Sequence, residues 1–312
     1  MISVIMLTYN REHLLENMIR DVLNQQYRTF EFIIIDNGST DKTSQLLKKY
    51  SDVDSRIKIF RMEKPVSIGC ARNIGLSKAK GEYVTFVDDD DRLEADYLSF
   101  LYNLLIENDA DISICGCTEG DGISRHPQCI YHEKMIINGE EAVKLLINRK
   151  YIRAGMPTKL YKKTLLDRYP FEEKVQNEDI HTQYKYLLCA KKIAMQGEDK
   201  YYILRHDGNI SGFTSDASKW NSRILSDYLT AYRNRTEFVR QNAPNIYQLA
   251  QYSQWAFMLS MINKIQQYNL SDCEELLHLL KKEIFVHKEE ILNSQYIKDF
   301  ELQWMEMYIK NG

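Results

Sequence analysis

Apolar and polar positions change period along this chain in an ordered way. Ile2–Leu7 is apolar and β-prone, and after Thr8-Tyr9-Asn10 the residues Leu14, Leu15, Met18, Ile19, Val22 and Leu23 recur at helical spacing. Glu31–Ile35 predicts a second strand ending at Asp36, Ser39–Tyr50 a helix, and Arg56–Met62 a short strand. Gly69–Lys80 reads as helix, Glu82–Val87 as a buried strand, Glu94–Asn108 as helix and Asp111–Cys115 as a further strand. Strands alternating with helices on short connections predict an α/β fold whose mostly parallel sheet is built from right-handed crossovers.

The pattern loosens between Glu119 and Cys129, where Gly120, Gly122 and Pro127 interrupt it. Helical spacing returns at Asn138–Arg149 and Asp179–Lys191, and Lys200–Arg205 is strand-like. From about Ser215 the character changes. Trp220–Gln241, Tyr247–Tyr268, Ser271–Lys288 and Asp299–Ile309 read as helices, with Asn242-Ala243-Pro244 breaking the first two. The expected organisation is a domain over 1–214, divided into halves at 117/118, and a helical appendage over 215–312. The stripe Tyr252, Trp255, Met258, Leu259 and Ile262 suits either a core or a homo-oligomer face.

Charge narrows the function classes. The net charge is −3, and from Ser211 onward 11 Lys and Arg balance 12 Asp and Glu, so no basic arm for nucleic acid or anionic lipid is present. Cys115-Gly-Cys117 lacks the two-residue spacer of a redox or zinc motif, and the six cysteines read as free thiols. No basic leader and no apolar run near the roughly 18 residues of a membrane span are seen, so the expected location is cytoplasmic.

The sharpest chemical feature is Asp88-Asp89-Asp90-Asp91 at the end of the Tyr83–Val87 strand. Four adjacent carboxylates raise one another's pKa unless a cation neutralises them, and strand carboxyl ends are where open α/β sheets bind ligands. Divalent Mg²⁺ or Mn²⁺ takes such oxygen ligands together with substrate phosphates. Thr8-Tyr9-Asn10 and Asp36-Asn37-Gly38-Ser39 occupy strand-to-helix turns suited to a base, ribose or phosphate. Gly69 would let a ligand approach the backbone, and Arg72 could reach a nucleotide. Glu178-Asp179 opens a helix, where either carboxylate suits the helix dipole or a proton-accepting role.

Taken in order, Thr-Tyr-Asn, Asp-Asn-Gly-Ser-Thr-Asp, Gly-Cys-Ala-Arg-Asn, the four aspartates, Lys159-Leu160-Tyr161 and Glu178-Asp179 resemble family 2 glycosyltransferases over roughly Met1 to Gly212. The resemblance is to the inverting, GT-A-fold transferases that build bacterial polysaccharides and related glycans. It implies Asp36 and Asn37 beside the nucleobase, with Thr8, Tyr9, Asn10, Gly69 and Arg72 in the same donor pocket. Asp88 and Asp90 match the DXD motif, with Asp90 the direct metal ligand and Asp89 on the ribose or donor sugar. Asp179 matches the catalytic base, Glu178 the group orienting the acceptor, and His206 a later metal or diphosphate contact.

Two departures from the family stand out. Leu7 replaces a common Pro, and Asn37 replaces a second Asp, so the charge that would strengthen a bond to pyrimidine N3–H is missing. A UDP-sugar is therefore the leading donor and a dTDP-sugar its competitor. The implied acceptor is a glycan or lipid-linked hydroxyl, the latter with peripheral association at the inner membrane face. The competing class is a catalytically silent nucleotide- or glycan-binding module. A nucleotidyltransferase or NAD enzyme is disfavoured, since no Gly-rich phosphate loop follows the first strand.

Overall fold

The structure, a computed structural model, describes residues 1–206 and 219–309. It divides into two compact units, Met1–Arg205 and His206–Gly312. The boundary expected at 214/215 lies outside the described residues. That expected at 117/118 falls inside a continuous strand.

The first unit begins β1 (Ile2–Thr8), α1 (Leu15–Leu23), β2 (Phe30–Asp36), α2 (Thr43–Ser51), β3 (Ile57–Arg61), α3 (Ile68–Lys78) and β4 (Tyr83–Asp88). These four strands lie in the order β3-β2-β1-β4, all parallel, with Thr8 opposite Asp36 and Leu7 opposite Asp88. Every residue of β2 is buried, as a strand covered on both faces requires. The chain runs outward from β1 through β2 to β3 and then crosses back to set β4 on the other side of β1, so a topological switch lies between β1 and β4. That crevice is where the carboxyl ends of an open sheet bind ligands.

The chain continues through β5 (Arg92–Leu93), α4 (Tyr97–Glu107), β6 (Ile112–Gly120), β7 (His126–Pro127), β8 (Met135–Ile137) and α5 (Gly139–Ile147). It ends with β9 (Lys159–Lys162), α6 (Lys163–Arg168), α7 (Glu178–Cys189) and β10 (Ile193–Leu204). Here short antiparallel strands join the mostly parallel sheet. β9 enters between β4 and β6 antiparallel to both, and β10 is parallel to β6 but antiparallel to β5 and β8. The Lys159-Leu160-Tyr161 motif is therefore a short central strand, too brief for a periodicity to show. β6 runs on to Gly120, five residues beyond its expected end, because β10 pairs with it throughout.

In the second unit α8 (Ser222–Asn242), α9 (Tyr247–Gln267), α10 (Glu274–Val286), α11 (Lys288–Leu292) and α12 (Asp299–Tyr308) follow one another. Pro244 starts the turn between α8 and α9, as its missing N–H favours. The stripe Tyr252, Trp255, Met258, Leu259 and Ile262 is buried within this unit, packed with Leu225, Leu280 and Ile284. That stripe is core and not an oligomer face. Among the described residues no helix is long and apolar enough to cross a membrane.

Candidate active site

The loops after β1 and β2 brace each other. Thr40 N–H donates to Asn10 Oδ1 (2.8 Å), Asn10 N–H to Ser39 Oγ (3.0 Å) and Arg11 N–H to Thr43 Oγ1 (2.9 Å). Asp36 is fully buried and accepts from Ser39 N–H (2.9 Å) and Ser44 Oγ (2.5 Å), so its carboxylate shapes the loop from inside. Asn37 pairs with the Val66 backbone in both directions, at 2.9 Å each. Of the side chains expected beside a nucleobase, Asp36 thus holds its own loop and Asn37 ties it to the segment before α3, while the Tyr9 ring stands 45% exposed.

Gly69 has a different duty from the one expected. A Cβ there would sit 2.1 Å from the Glu172 carbonyl oxygen, so the close approach that glycine permits is made by the chain itself. Asn73 strengthens the same contact, accepting from Phe171 N–H (2.9 Å) and donating to its carbonyl (3.0 Å). Arg72 completes it. Its buried guanidinium donates from Nε to Glu178 Oε1 (2.7 Å) and lies over the Phe86 and Phe171 rings. The Gly-Cys-Ala-Arg-Asn motif is thereby a clamp on the segment leading into α7. Tyr161 Oη adds a bond to Gln183 Oε1 of α7 (2.9 Å), which gives the Lys-Leu-Tyr motif its place.

The clamp brings the acidic pair of α7 to the acidic end of β4. Arg72 Nη2 lies 4.0 Å from Asp88 Oδ1, on the other side of its bond to Glu178. Burial pushes Asp88 up to about 6, with Arg72 opposing and Asp90 and Glu178 adding to the rise. Its side chain is 48% exposed, so the carboxylate also meets solvent at the end of β4. Asp179 is also raised to about 6, by burial and by Glu178, against the Ile180 N–H it accepts (2.8 Å). Asp89 rises to about 7 through burial beside Asp90 and Asp88.

The four aspartates are not equivalent. Asp91 turns inward, accepting from Tyr201 Oη (2.7 Å) and Leu204 N–H (2.9 Å), and Tyr201 Oη also receives the Asp88 N–H (3.1 Å). It is a structural anchor between β4 and β10. Asp89 and Asp90 face Arg11, whose Nε lies 3.6 Å from Asp89 Oδ1 and whose Nη2 lies 3.9 Å from Asp90 Oδ2. Arg11 and Tyr201 were not singled out from the sequence, while Asn73 and Tyr161 entered only inside the Gly-Cys-Ala-Arg-Asn and Lys-Leu-Tyr motifs, without a role of their own. The adjacency of Arg11 to Thr-Tyr-Asn was a signal for that residue. His206 belongs to the second unit, and its metal role stays an expectation.

A divalent cation fits this donor set. Five carboxylates (Asp88, Asp89, Asp90, Glu178 and Asp179) act on one another with Arg72 and Arg11 as the charges opposing them. The buried Thr8 hydroxyl supports Asp89 by a side-chain hydrogen bond that lowers its pKa against burial. Among the described residues no three His, Cys, Asp or Glu side chains form a complete metal cage. A site that relies on one or two carboxylates and substrate phosphates needs none.

The family model for glycosyl transferase family 2 matches residues 3–171. Glycosyltransferase GlyA of Streptococcus pneumoniae serotype 4 is 26% identical over 87% of this chain, which spans only 42% of GlyA's length. Glycosyltransferase GlyG of the same organism is 30% identical over 72% of this chain and 77% of its own. Among solved structures, Staphylococcus aureus TarS 1–349 in complex with UDP-GlcNAc superposes with a TM-score of 0.61 at 20% identity, covering 96% of this chain and 93% of TarS 1–349. At that identity the likeness establishes the GT-A-type fold alone.

Proposed function

Since this chain belongs to glycosyl transferase family 2, and so is a glycosyltransferase, we propose that it transfers a sugar with inversion from a nucleoside-diphosphate donor. A UDP-sugar is the first choice of donor, consistent with the UDP-GlcNAc bound by the TarS structure, and a dTDP-sugar the second. The acceptor is a hydroxyl of a glycan or a lipid-linked saccharide.

One observation carries this reading: Arg72 and its clamp set Asp179 within electrostatic reach of Asp88, at the switch point between β1 and β4. A base close to a phosphate-facing acidic end is what a hydroxyl needs to attack a sugar held beside a diphosphate. Asp179 accepts the proton of the acceptor hydroxyl. The freed oxygen bonds to the anomeric carbon as the carbon–oxygen bond to the diphosphate breaks, its electron pair leaving with the nucleoside diphosphate. Glu178, buried against Arg72, fixes the first turn of α7 and hence the direction of Asp179. Asp90 and Asp88 would hold Mg²⁺ or Mn²⁺, which would offset charge on the departing diphosphate. Raised pKa values at Asp179 and Asp88 agree with a site whose acids await a cation and a substrate.

The test is titration calorimetry of UDP, dTDP and GDP with and without Mn²⁺, on wild type and Asp90→Ala. Binding of one nucleotide that requires metal and is lost in the variant is the expected result. Binding of none of the three would overturn the donor-site reading and favour a silent module.

A further inference from the structure

Arg11 is the one cation that the β1–α1 loop sends toward the aspartates of β4. Its backbone is held by Thr43, and its neighbours Asn10 and Glu12 are held by Ser39, Thr40, Asp41 and Lys42. The long side chain therefore leaves a fixed point, and its guanidinium meets Asp89 and Asp90 at 3.6 and 3.9 Å. All three side chains are largely buried, at 21%, 10% and 11% exposure, so water screens them little. Asp90 is also one of the two acids assigned above to a divalent ion, and Asp89 stands beside it. The buried Thr8 hydroxyl bonds the Asp89 carboxyl from the β1 side, opposite in sense to the burial that raises it.

Resting on the donor-site reading above, we propose that Arg11 is a positioning residue that occupies the acidic pair as a resident cation and couples metal entry to nucleotide entry. A divalent ion and a guanidinium cannot both be fully satisfied by Asp90. When the ion enters alone, Arg11 must give up Asp90 and is left beside a like charge. When a nucleoside diphosphate enters with the ion, its phosphate oxygens give the guanidinium a new partner of the same chemistry. Metal binding is therefore weak without nucleotide and strong with it. The coupling is reciprocal, as linkage requires.

The experiment measures Mn²⁺ affinity from the loss of its free-ion electron paramagnetic resonance signal, with and without UDP, in wild type, Arg11→Gln and Arg11→Lys. Without UDP, Arg11→Gln should bind Mn²⁺ about 5–10-fold more tightly than wild type, the size of effect expected for removing one nearby charge in a partly screened site. The gain in Mn²⁺ affinity on adding UDP should shrink by a similar factor. Arg11→Lys, which keeps the charge, should stay near wild type, and Arg11→Met reads the same loss should the glutamine variant not fold. Equal or weaker Mn²⁺ binding by the neutral variants, with wild type binding normally, overturns this inference and leaves the donor-site reading intact. No Mn²⁺ binding by any form, with or without UDP, overturns both.

Discussion

The two ends of one sheet treat buried acids in opposite ways. At the amino-terminal end, Glu31 accepts from Ser3 Oγ (2.7 Å), Lys80 N–H (2.6 Å) and Lys58 Nζ. Burial pushes its pKa up, but these partners outweigh burial and hold it below its usual range. Asp111, just before β6, behaves likewise under Lys162 Nζ (3.0 Å) and Lys191 N–H (2.8 Å). At the carboxyl end Asp88, Asp89 and Asp179 are all raised, because burial and like charges outweigh what Arg72 and Arg11 supply. Acids that are satisfied in the free protein stabilise the fold. Acids left wanting mark the end where something must bind.

The largest test of this contrast is Asp179→Asn. Turnover should fall by about 10²–10⁴-fold, with nucleotide affinity by calorimetry unchanged; wild-type turnover would remove Asp179 as the base. Next is pH. Asp179 must be ionised to accept a proton, so kcat/KM should be flat above its value of about 6 and fall tenfold per unit below it. A profile unchanged down to pH 5 would show that no such group limits the rate.

Stability should respond with opposite signs at the two ends. Glu31→Gln leaves Lys58 and the Lys80 N–H with a weaker partner and should cost about 1–3 kcal/mol in denaturant unfolding. Activity per folded molecule should not change. The smallest effect is the reverse one. Asp89 has a folded pKa of about 7 against its ordinary 3.8, so the folded state favours its neutral form. Its ionisation weakens the fold at pH 8, and this penalty lifts as pH falls from 7 toward 4. Asp89→Asn should therefore raise Tm by roughly 2–4 °C at pH 8 and progressively less at lower pH, while weakening donor binding. A lowered Tm at pH 8 would place Asp89 with the satisfied acids instead.

The parallel half of the fold was legible because its strands are long, apolar and closed by turn residues. Its period is imposed by local geometry, as at Ile2–Leu7 and Phe30–Asp36. The mixed half was not. Lys159–Lys162 has four residues and carries a buried lysine that donates to the Gly155 carbonyl (2.6 Å), a satisfaction no pattern can announce. Met135–Ile137 and the first half of β10 are strands because β10 finds β6 beside it.

For the site the division is finer. The sequence by itself determined which chemistry is present, since carboxylates at strand ends and at a helix start are local facts. Only the tertiary structure decided their division of labour. Asp91 faces Tyr201, Asp36 is spent within its own loop, Gly69 makes room for Glu172, and Arg72 spans Glu178 and Asp88. The physical reason is separation along the chain. Charges interact across a few ångströms of space, and the pair Arg72–Glu178 lies 106 residues apart until the fold closes around it.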